Sequence, residues 1–144
     1  YGLEVEGTWR LRSDLELTAA LAYVHATNTS DDRPIAQTPP LGGKLQLDYF
    51  SGRWTHGARV RFADAQDRID PESPLEVGET AGWGVFDIYG SYLINDTFSL
   101  RWGIDNLFDK TYAEHASRAN LMDLEAIKVN EPGLVAWVKV TAEF

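Results

Sequence analysis

The sequence predicts an all-β protein, an antiparallel up-and-down sheet of about seven strands that forms a segment of a transmembrane β-barrel. Apolar and polar residues alternate with a period of two in seven segments, whereas helical periodicity is hard to find. The connections between segments are alternately short and long, as in outer-membrane barrels. No apolar run approaches 18 residues, which excludes a transmembrane helix but leaves membrane-spanning strands open.

The composition excludes several classes of protein. The chain has 144 residues, with 13 Lys and Arg against 22 Asp and Glu, and this net charge of −9 argues against a nucleic-acid partner. The absence of cysteine excludes a disulfide scaffold and a thiolate metal site. Aromatic residues make up 12% of the chain although the mean hydropathy is only −0.30. Since the sequence begins at Tyr1 without an initiator Met or signal peptide, we expect a mature segment or an excised piece.

Turn residues divide the chain into the seven expected strands. They span residues 2–12, 15–26, 40–50, 54–66, 82–94, 98–112 and 132–144. The short turns lie at Ser13-Asp14, Ser51-Gly52-Arg53 and Asn95-Asp96, and the long connections at 27–39, 67–81 and 113–131. In an outer-membrane barrel the long connections face the cell exterior and the short turns face the periplasm. No linker or low-complexity tract marks a second domain.

The alternation separates a charge-free face from a charged one. The charge-free face contains every second residue of each strand, for example Leu17 to Tyr23 and Leu134 to Phe144. The charged positions, which we expect to face a lumen and to neutralise one another, include Glu4, Glu6, Arg10, Arg59, Arg61, Asp87, Arg101 and Lys139. A soluble ligand-binding barrel with its apolar face inward would show the same alternation and remains an alternative.

The aromatic residues of the apolar face favour the membrane interpretation, because they gather at two heights. One group lies beside the short turns or at the C-terminus: Trp9, Tyr49, Trp54, Tyr92, Phe98 and Phe144. The other lies toward the long connections: Tyr1, Tyr23, Phe62, Phe86 and Tyr112. The two groups are separated by roughly 20 Å along the membrane normal, which fits two aromatic girdles around an apolar band.

An odd number of strands leaves two interpretations open. Single-chain bacterial barrels have even strand counts, and an open sheet would leave unpaired edges in lipid. One strand is then missing from a small eight-stranded barrel with a structural or adhesive role, or many are missing from a large barrel.

Motifs near the C-terminus resemble those of TonB-dependent outer-membrane receptors. Residues 102–112 are similar to the strand and N-L-F-D-K-x-Y motif of that family, with Asn106, Leu107, Phe108, Asp109, Lys110 and Tyr112 at its positions. A final strand ending on an aromatic residue, Phe144, follows at the expected distance, and Pro39-Pro40 precedes a strand as in the family. Ala65-Gln66-Asp67-Arg68, residues 112–120 and residues 129–133 resemble the TonB-dependent copper receptor subfamily.

The resemblance implies a 22-stranded barrel around an N-terminal plug, of which residues 1–144 are the C-terminal part without the plug or the earlier strands. It implies uptake of copper or a metal chelate across a Gram-negative outer membrane, energised by the TonB complex through the absent N-terminal part. The other implied partners are outer-membrane lipid and the barrel-assembly machinery, which would recognise the last strand through Val138, Val140, Ala142 and Phe144. It implies no bound cofactor, and copper selectivity would depend on groups that lie largely upstream.

The longest connection holds the candidate metal-binding residues. His115, Glu114 and Met122 combine an imidazole, a carboxylate and a thioether that suit copper, although a solvated loop histidine is the simpler interpretation. His25 could join them near the same rim, whereas His56 lies at the opposite end beside Trp54.

A hydrolase is the enzymatic alternative, with Ser117, His115 and Glu114 as its three residues. No G-x-S-x-G element supports it, and adjacent residues on an extended chain point to opposite sides, so we expect no enzyme. Asp105-Asn106 and Asp109-Lys110 are expected instead to organise a strand end through side-chain bonds to nearby backbone amides.

Overall fold

The computed structural model of the chain describes residues 1–117 and 127–143. Its strands are β1 Gly2–Arg12, β2 Leu15–Val24, β3 Thr27–Asn28, β4 Arg33–Pro34, β5 Gly42–Ser51, β6 Trp54–Ala63, β7 Trp83–Leu93, β8 Phe98–Asp105 and β9 Val135–Ala142. Seven of them form one antiparallel sheet in the order β1-β2-β5-β6-β7-β8-β9, while β3 and β4 pair separately. Within the described ranges no helix has the length and apolar character needed to cross a membrane.

The seven long strands confirm the alternation read from the sequence. Several strand ends lie two or three residues from their expected positions, and two larger features differ from the prediction. Strand β8 ends at Asp105 rather than continuing to residue 112, because Asn106 adopts a positive φ of 51° that cannot continue a strand. The first long connection contains the short β3–β4 hairpin, in which Thr27 pairs with Pro34 and Asn28 with Arg33.

The strand register places the apolar residues of neighbouring strands side by side. Leu17 lies opposite both Trp9 and Leu47, and Ile88 lies opposite both Ala58 and Ile104. The intervening positions form the second face, which is the charged one. The sheet therefore has one continuous apolar face and one continuous polar face, and the apolar face is the more exposed. Val138 on it is 72% exposed.

No second layer packs on the apolar face within the described residues. Among the described residues, the buried hydrophobic side chains are Val85 and Tyr112, and both lie on the polar side of the sheet. A globular domain would bury such a face in its core, so this sheet is built as a wall between two different environments.

Aromatic residues gather at the short-turn end of the apolar face as expected. Trp54 packs against Tyr92 with ring centroids 4.4 Å apart and stacks on His56 at 5.8 Å. Tyr112 is a correction, because it is buried on the polar side and packs on Trp83 at 4.5 Å instead of joining the aromatic group of the apolar face. The alternation no longer applies to it once the chain has left β8. Phe108, 6.0 Å from Phe86 and 76% exposed, takes the expected place.

Three glycines let aromatic rings lie flat across the neighbouring strand. The directly opposite pairs are Gly57 with Tyr89, Gly90 with Trp102, and Gly103 with Trp137. A Cβ atom on these glycines would lie 2.2, 2.7 and 2.5 Å from the facing ring, respectively. This repeated glycine–aromatic pairing ties β6, β7, β8 and β9 together.

Candidate functional site

A buried carboxylate organises the polar face where the strands meet the long connections. Asp87 on β7 is completely buried and accepts four hydrogen bonds. Arg59 Nε donates to Oδ2 at 2.9 Å, and Arg61 donates to Oδ2 from Nε at 2.8 Å and to Oδ1 from Nη2 at 3.3 Å. The fourth donor is the backbone N–H of Asn106, 2.9 Å from Oδ1. We call Arg59, Arg61, Asp87 and Asn106 the strand-end clasp, because they join β6, β7 and the end of β8.

Asn106 extends the clasp to the last long connection. Its side chain accepts a bond from Lys110 N at 2.9 Å and donates to Lys110 O at 2.8 Å and Pro132 O at 3.3 Å. Asp109, with a φ of 52°, accepts a bond from Leu134 N at 2.9 Å. These contacts show the backbone-bonding role expected of Asn106 and Asp109. They hold both ends of the connection that leads to β9.

Other carboxylates on the polar face accept hydrogen bonds from neutral groups or form an ion pair. Asp105 accepts a hydrogen bond from Trp137 Nε1 at 3.0 Å, and Asp48 accepts one from the Tyr89 hydroxyl at 2.7 Å. Lys44 lies 3.1 Å from Glu6. The expected mutual neutralisation therefore holds for Glu6 with Lys44 and for Arg59 and Arg61 with Asp87. Arg101 and Lys139 lie directly opposite each other on β8 and β9 and carry like charges, so these two do not neutralise each other as expected.

The first two long connections are bound to each other. The backbone of Gln66 exchanges two hydrogen bonds with Thr80, at 2.9 and 3.0 Å, and the Gln66 amide donates to Thr38 O at 2.8 Å. Arg68 donates to Ala26 O at 2.7 Å and to the Thr27 hydroxyl. This support was not predicted, although Gln66 and Arg68 belong to one of the motifs that resembles the copper receptor subfamily.

His115 lies against the second of these long connections. We call the first two long connections together with residues 113–117 the loop assembly. His115 is 3% exposed, so the simpler expectation of a solvated loop histidine is wrong. Nδ1 lies 3.1 Å from Thr80 Oγ1, and Nε2 lies 3.5 Å from Glu76 Oε1. The side chain is buried because residues 113–117 fold against residues 76–80 of the preceding connection. Glu76 and Thr80 were missed because nothing local in the sequence links them to a histidine 35 or more residues away.

Burial also sets the protonation state of this histidine. Desolvation lowers the pKa of His115 below its ordinary value, an effect that nearby Lys128 reinforces and the Glu76 carboxylate opposes. The imidazole is therefore neutral at pH 7, the form in which histidine binds metal ions.

The other candidate metal residues are only partly brought together. Glu114 and His115 both line a pocket of about 470 Å³ on the polar side, together with Lys44, Arg61 and Trp83. His25 instead stacks on Tyr1 at 4.8 Å, and Met122 and Phe144 lie outside the described residues. Residues 1–117 and 127–143 contain no group of three or more His, Cys, Asp or Glu side chains positioned for a metal.

The hydrolase alternative receives no support from the geometry. The Ser117 hydroxyl donates to the Glu131 carboxylate, whereas His115 bonds to Thr80. Ser117, His115 and Glu114 therefore do not form the linked nucleophile, base and acid that such a mechanism requires.

Comparison with known proteins assigns the fold to a family. The family model described as TonB dependent receptor-like, beta-barrel matches residues 1–107. The chain is 32% identical to the ferric enterobactin receptor PirA of Pseudomonas aeruginosa, over 99% of this chain and 20% of that protein.

Solved structures agree with this assignment. The copper transporter OprC superposes with a TM-score of 0.90 and 35% identity over 99% of this chain and 23% of that chain. The ferric citrate transporter FecA in its unliganded form gives a TM-score of 0.80 at 20% identity, covering 99% of this chain and 24% of that one, which shows the fold alone. The chain thus spans 20% to 24% of the length of these relatives. It belongs to the TonB-dependent receptor-like β-barrel family, whose members are outer-membrane receptors and transporters of Gram-negative bacteria rather than enzymes.

Proposed function

We propose that the chain forms the last seven strands of a 22-stranded receptor barrel, with a plug and the earlier strands supplied by the rest of the protein. The observation that carries this proposal is the two-faced sheet, whose apolar face is uncovered within the described residues and whose opposite face is charged and contains buried ion pairs. A barrel wall needs this division, because its outer surface contacts lipid and its inner surface contacts water and the plug. Family membership favours this proposal over an eight-stranded barrel or a soluble ligand-binding barrel.

The two sides of the sheet also fit the expected surroundings of a receptor wall. On the polar face Arg101 lies directly opposite Lys139. Two like charges in this position repel each other, so an acidic surface of the plug would stabilise them. On the apolar face Val138 and Val140 are 72% and 62% exposed on β9, an edge strand of the sheet, which would present them and Ala142 to the barrel-assembly machinery.

The cargo that we propose is copper or a metal chelate, taken up with energy from the TonB complex. Copper is supported by similarity to a copper transporter at a TM-score of 0.90 and 35% identity. A ferric chelate is supported by 32% identity to a ferric enterobactin receptor. Glu114 and the buried His115 line the pocket on the polar side, at the end of the sheet that the long connections form.

Uptake by the full-length receptor tests this proposal. A strain that lacks the receptor gene is complemented with the wild-type gene, and accumulation of copper and of ferric enterobactin is measured with and without a functional TonB. We expect TonB-dependent accumulation of one cargo, and preference for copper would support the narrower proposal. Accumulation that is the same in the deletion and complemented strains for both cargoes would contradict a role in metal uptake.

A further inference from the structure

The imidazole of His115 carries a buried nitrogen that is left without a hydrogen bond. Nε2 has no hydrogen-bond partner in the part of the chain that the structure describes, and the side chain is only 1% exposed. It faces Oε1 of Glu76 at 3.5 Å, and the Glu76 side chain is 4% exposed. An unpaired polar atom costs free energy in a buried position, so this pair of atoms calls for a physical explanation.

The hydrogen bond at the opposite ring nitrogen is compatible with a cation at Nε2, because either the imidazole Nδ1–H or the Thr80 hydroxyl can be its donor. When the Thr80 hydroxyl oxygen accepts a bond from Nδ1–H, at the observed 3.1 Å, the lone pair of Nε2 points toward the Glu76 carboxylate. Two acceptors then face each other away from water, and a cation between them would satisfy both. Histidine residues that bind metals commonly donate their second N–H to such a neighbouring oxygen.

The carboxylate is also held in place for a ligand. Oε1 of Glu76 accepts a bond from Val77 N at 3.0 Å, and Oε2 accepts one from Asp70 N at 3.3 Å. These backbone bonds fix the side chain, and each oxygen retains a lone pair for a further partner. A neutral imidazole nitrogen and a carboxylate oxygen suit Zn²⁺ and Cu²⁺.

We propose that a divalent transition-metal ion binds between His115 Nε2 and Glu76 Oε1, with water completing its coordination, and fastens residues 113–117 to residues 76–80. This metal bridge between two loops does not rest on the proposed function, since it would stabilise the long connections whatever cargo the receptor carries. It differs from the predicted combination of His115, Glu114 and Met122 because its carboxylate comes from the preceding connection.

Lys128 provides an internal check on this site. Its ammonium acts electrostatically on His115, and it donates a hydrogen bond to Glu79 O at 2.7 Å. A positive charge near a bound cation weakens binding, so Lys128→Met is expected to tighten metal binding severalfold. A variant that improves binding is not readily explained by misfolding.

The test uses Zn²⁺ as the probe and the purified, metal-stripped full-length receptor in detergent at pH 7.5, with stoichiometry and affinity measured by calorimetry and equilibrium dialysis. We expect the wild type to bind one more equivalent of Zn²⁺ than His115→Ala or Glu76→Gln. Thr80→Val should lower the affinity for this additional Zn²⁺ ion about tenfold. His25→Ala and Glu79→Gln are matched controls, a histidine and a glutamate at the long-connection end of the sheet, and should bind as wild type does.

Hydrogen exchange tests whether the metal ion joins the two loops, which is a separate question from whether it binds. Zn²⁺ should slow amide exchange in residues 73–80 of the wild type but not of Glu76→Gln. The Glu76→Gln variant keeps the shape of the side chain, so the test remains decisive even if His115→Ala does not fold. Equal stoichiometry in wild type and Glu76→Gln, or no protection by Zn²⁺, would overturn the proposal. Because uptake is not the readout, either result leaves the proposed receptor function to be judged by its own experiment.

Discussion

Replacing Asp87 with Asn tests the strand-end clasp most sharply. The carboxylate accepts three bonds from two arginines and one from the Asn106 backbone, and none of its surface reaches solvent. Asn retains one carbonyl oxygen but replaces the second with an amide group that points donors at a guanidinium. The substitution therefore removes about two of these hydrogen bonds and the charge that the arginines were paired with.

The size of the effect follows from this loss. Two bonds to charged groups contribute about 3–6 kcal/mol, and breaking a buried ion pair typically costs about 3–5 kcal/mol. Solvent recovers part of this, because the side chains of Arg59 and Arg61 are 31% and 29% exposed. We therefore expect Asp87→Asn to lower the free energy of unfolding by about 3 kcal/mol, roughly a hundredfold change in the folded-to-unfolded ratio.

Urea unfolding of the full-length receptor in detergent, followed by circular dichroism, measures this change. Asp96→Asn in the exposed turn between β7 and β8 is the matched control and should shift the free energy of unfolding by less than about 0.5 kcal/mol. Equal behaviour of the two variants would refute the assignment of Asp87 as the organising residue of the clasp.

Three further predictions concern the apolar face, the glycine–aromatic pairs and the loop assembly. Val138→Arg should impair membrane assembly at a cost of about 2–4 kcal/mol, whereas Lys139→Ala should be mild, and equal yields of heat-modifiable barrel would reverse the assignment of faces. Gly57→Ala would place a Cβ 2.2 Å from the facing tyrosine ring and should cost about 1–3 kcal/mol in the urea assay, while Gly84→Ala, with its nearest atoms at 3.9 Å, should be nearly neutral. Burial lowers the pKa of His115 in the folded state below its unfolded-state value of about 6.5. The neutral buried imidazole therefore contributes fully to stability above the unfolded-state pKa, and this contribution is lost as the pH falls through the folded-state pKa. In chelator, amide protection of residues 113–117, corrected for intrinsic exchange, should fall across that range in the wild type, and an equal fall in His115→Gln would contradict this origin.

The regular part of the fold was predictable because its cause is local. Alternation with a period of two records which residues face each side of a strand, and the observed register aligns the apolar positions of all seven strands. The prediction failed where a single dihedral angle interrupts the pattern. At Asn106 the positive φ ends β8 and turns Tyr112 to the polar side, and alternation carries no information about that change.

The loop assembly was much less predictable, since its contacts are distant in sequence. His115 was identified by residue type, but its burial depends on Thr80, which lies 35 residues earlier, and on Glu76. Asp87 was expected to lie among the charged residues of the lumen face, yet its role as an acceptor of four bonds required the register of β6 against β7 and the turn at Asn106. Pairings of this kind arise from tertiary structure rather than local propensity.

The placement of the wall in the outer membrane is tested most directly by labelling intact cells. The chain has no cysteine of its own, so Ser30→Cys in the first long connection and Asp96→Cys in a short turn can be introduced into the full-length receptor, in a background free of other reactive thiols. A membrane-impermeant maleimide should label Ser30→Cys on whole cells and Asp96→Cys only after the outer membrane is permeabilised. Labelling of Asp96→Cys on intact cells, with Ser30→Cys protected, would contradict the orientation and the assignment of the long connections to the cell exterior.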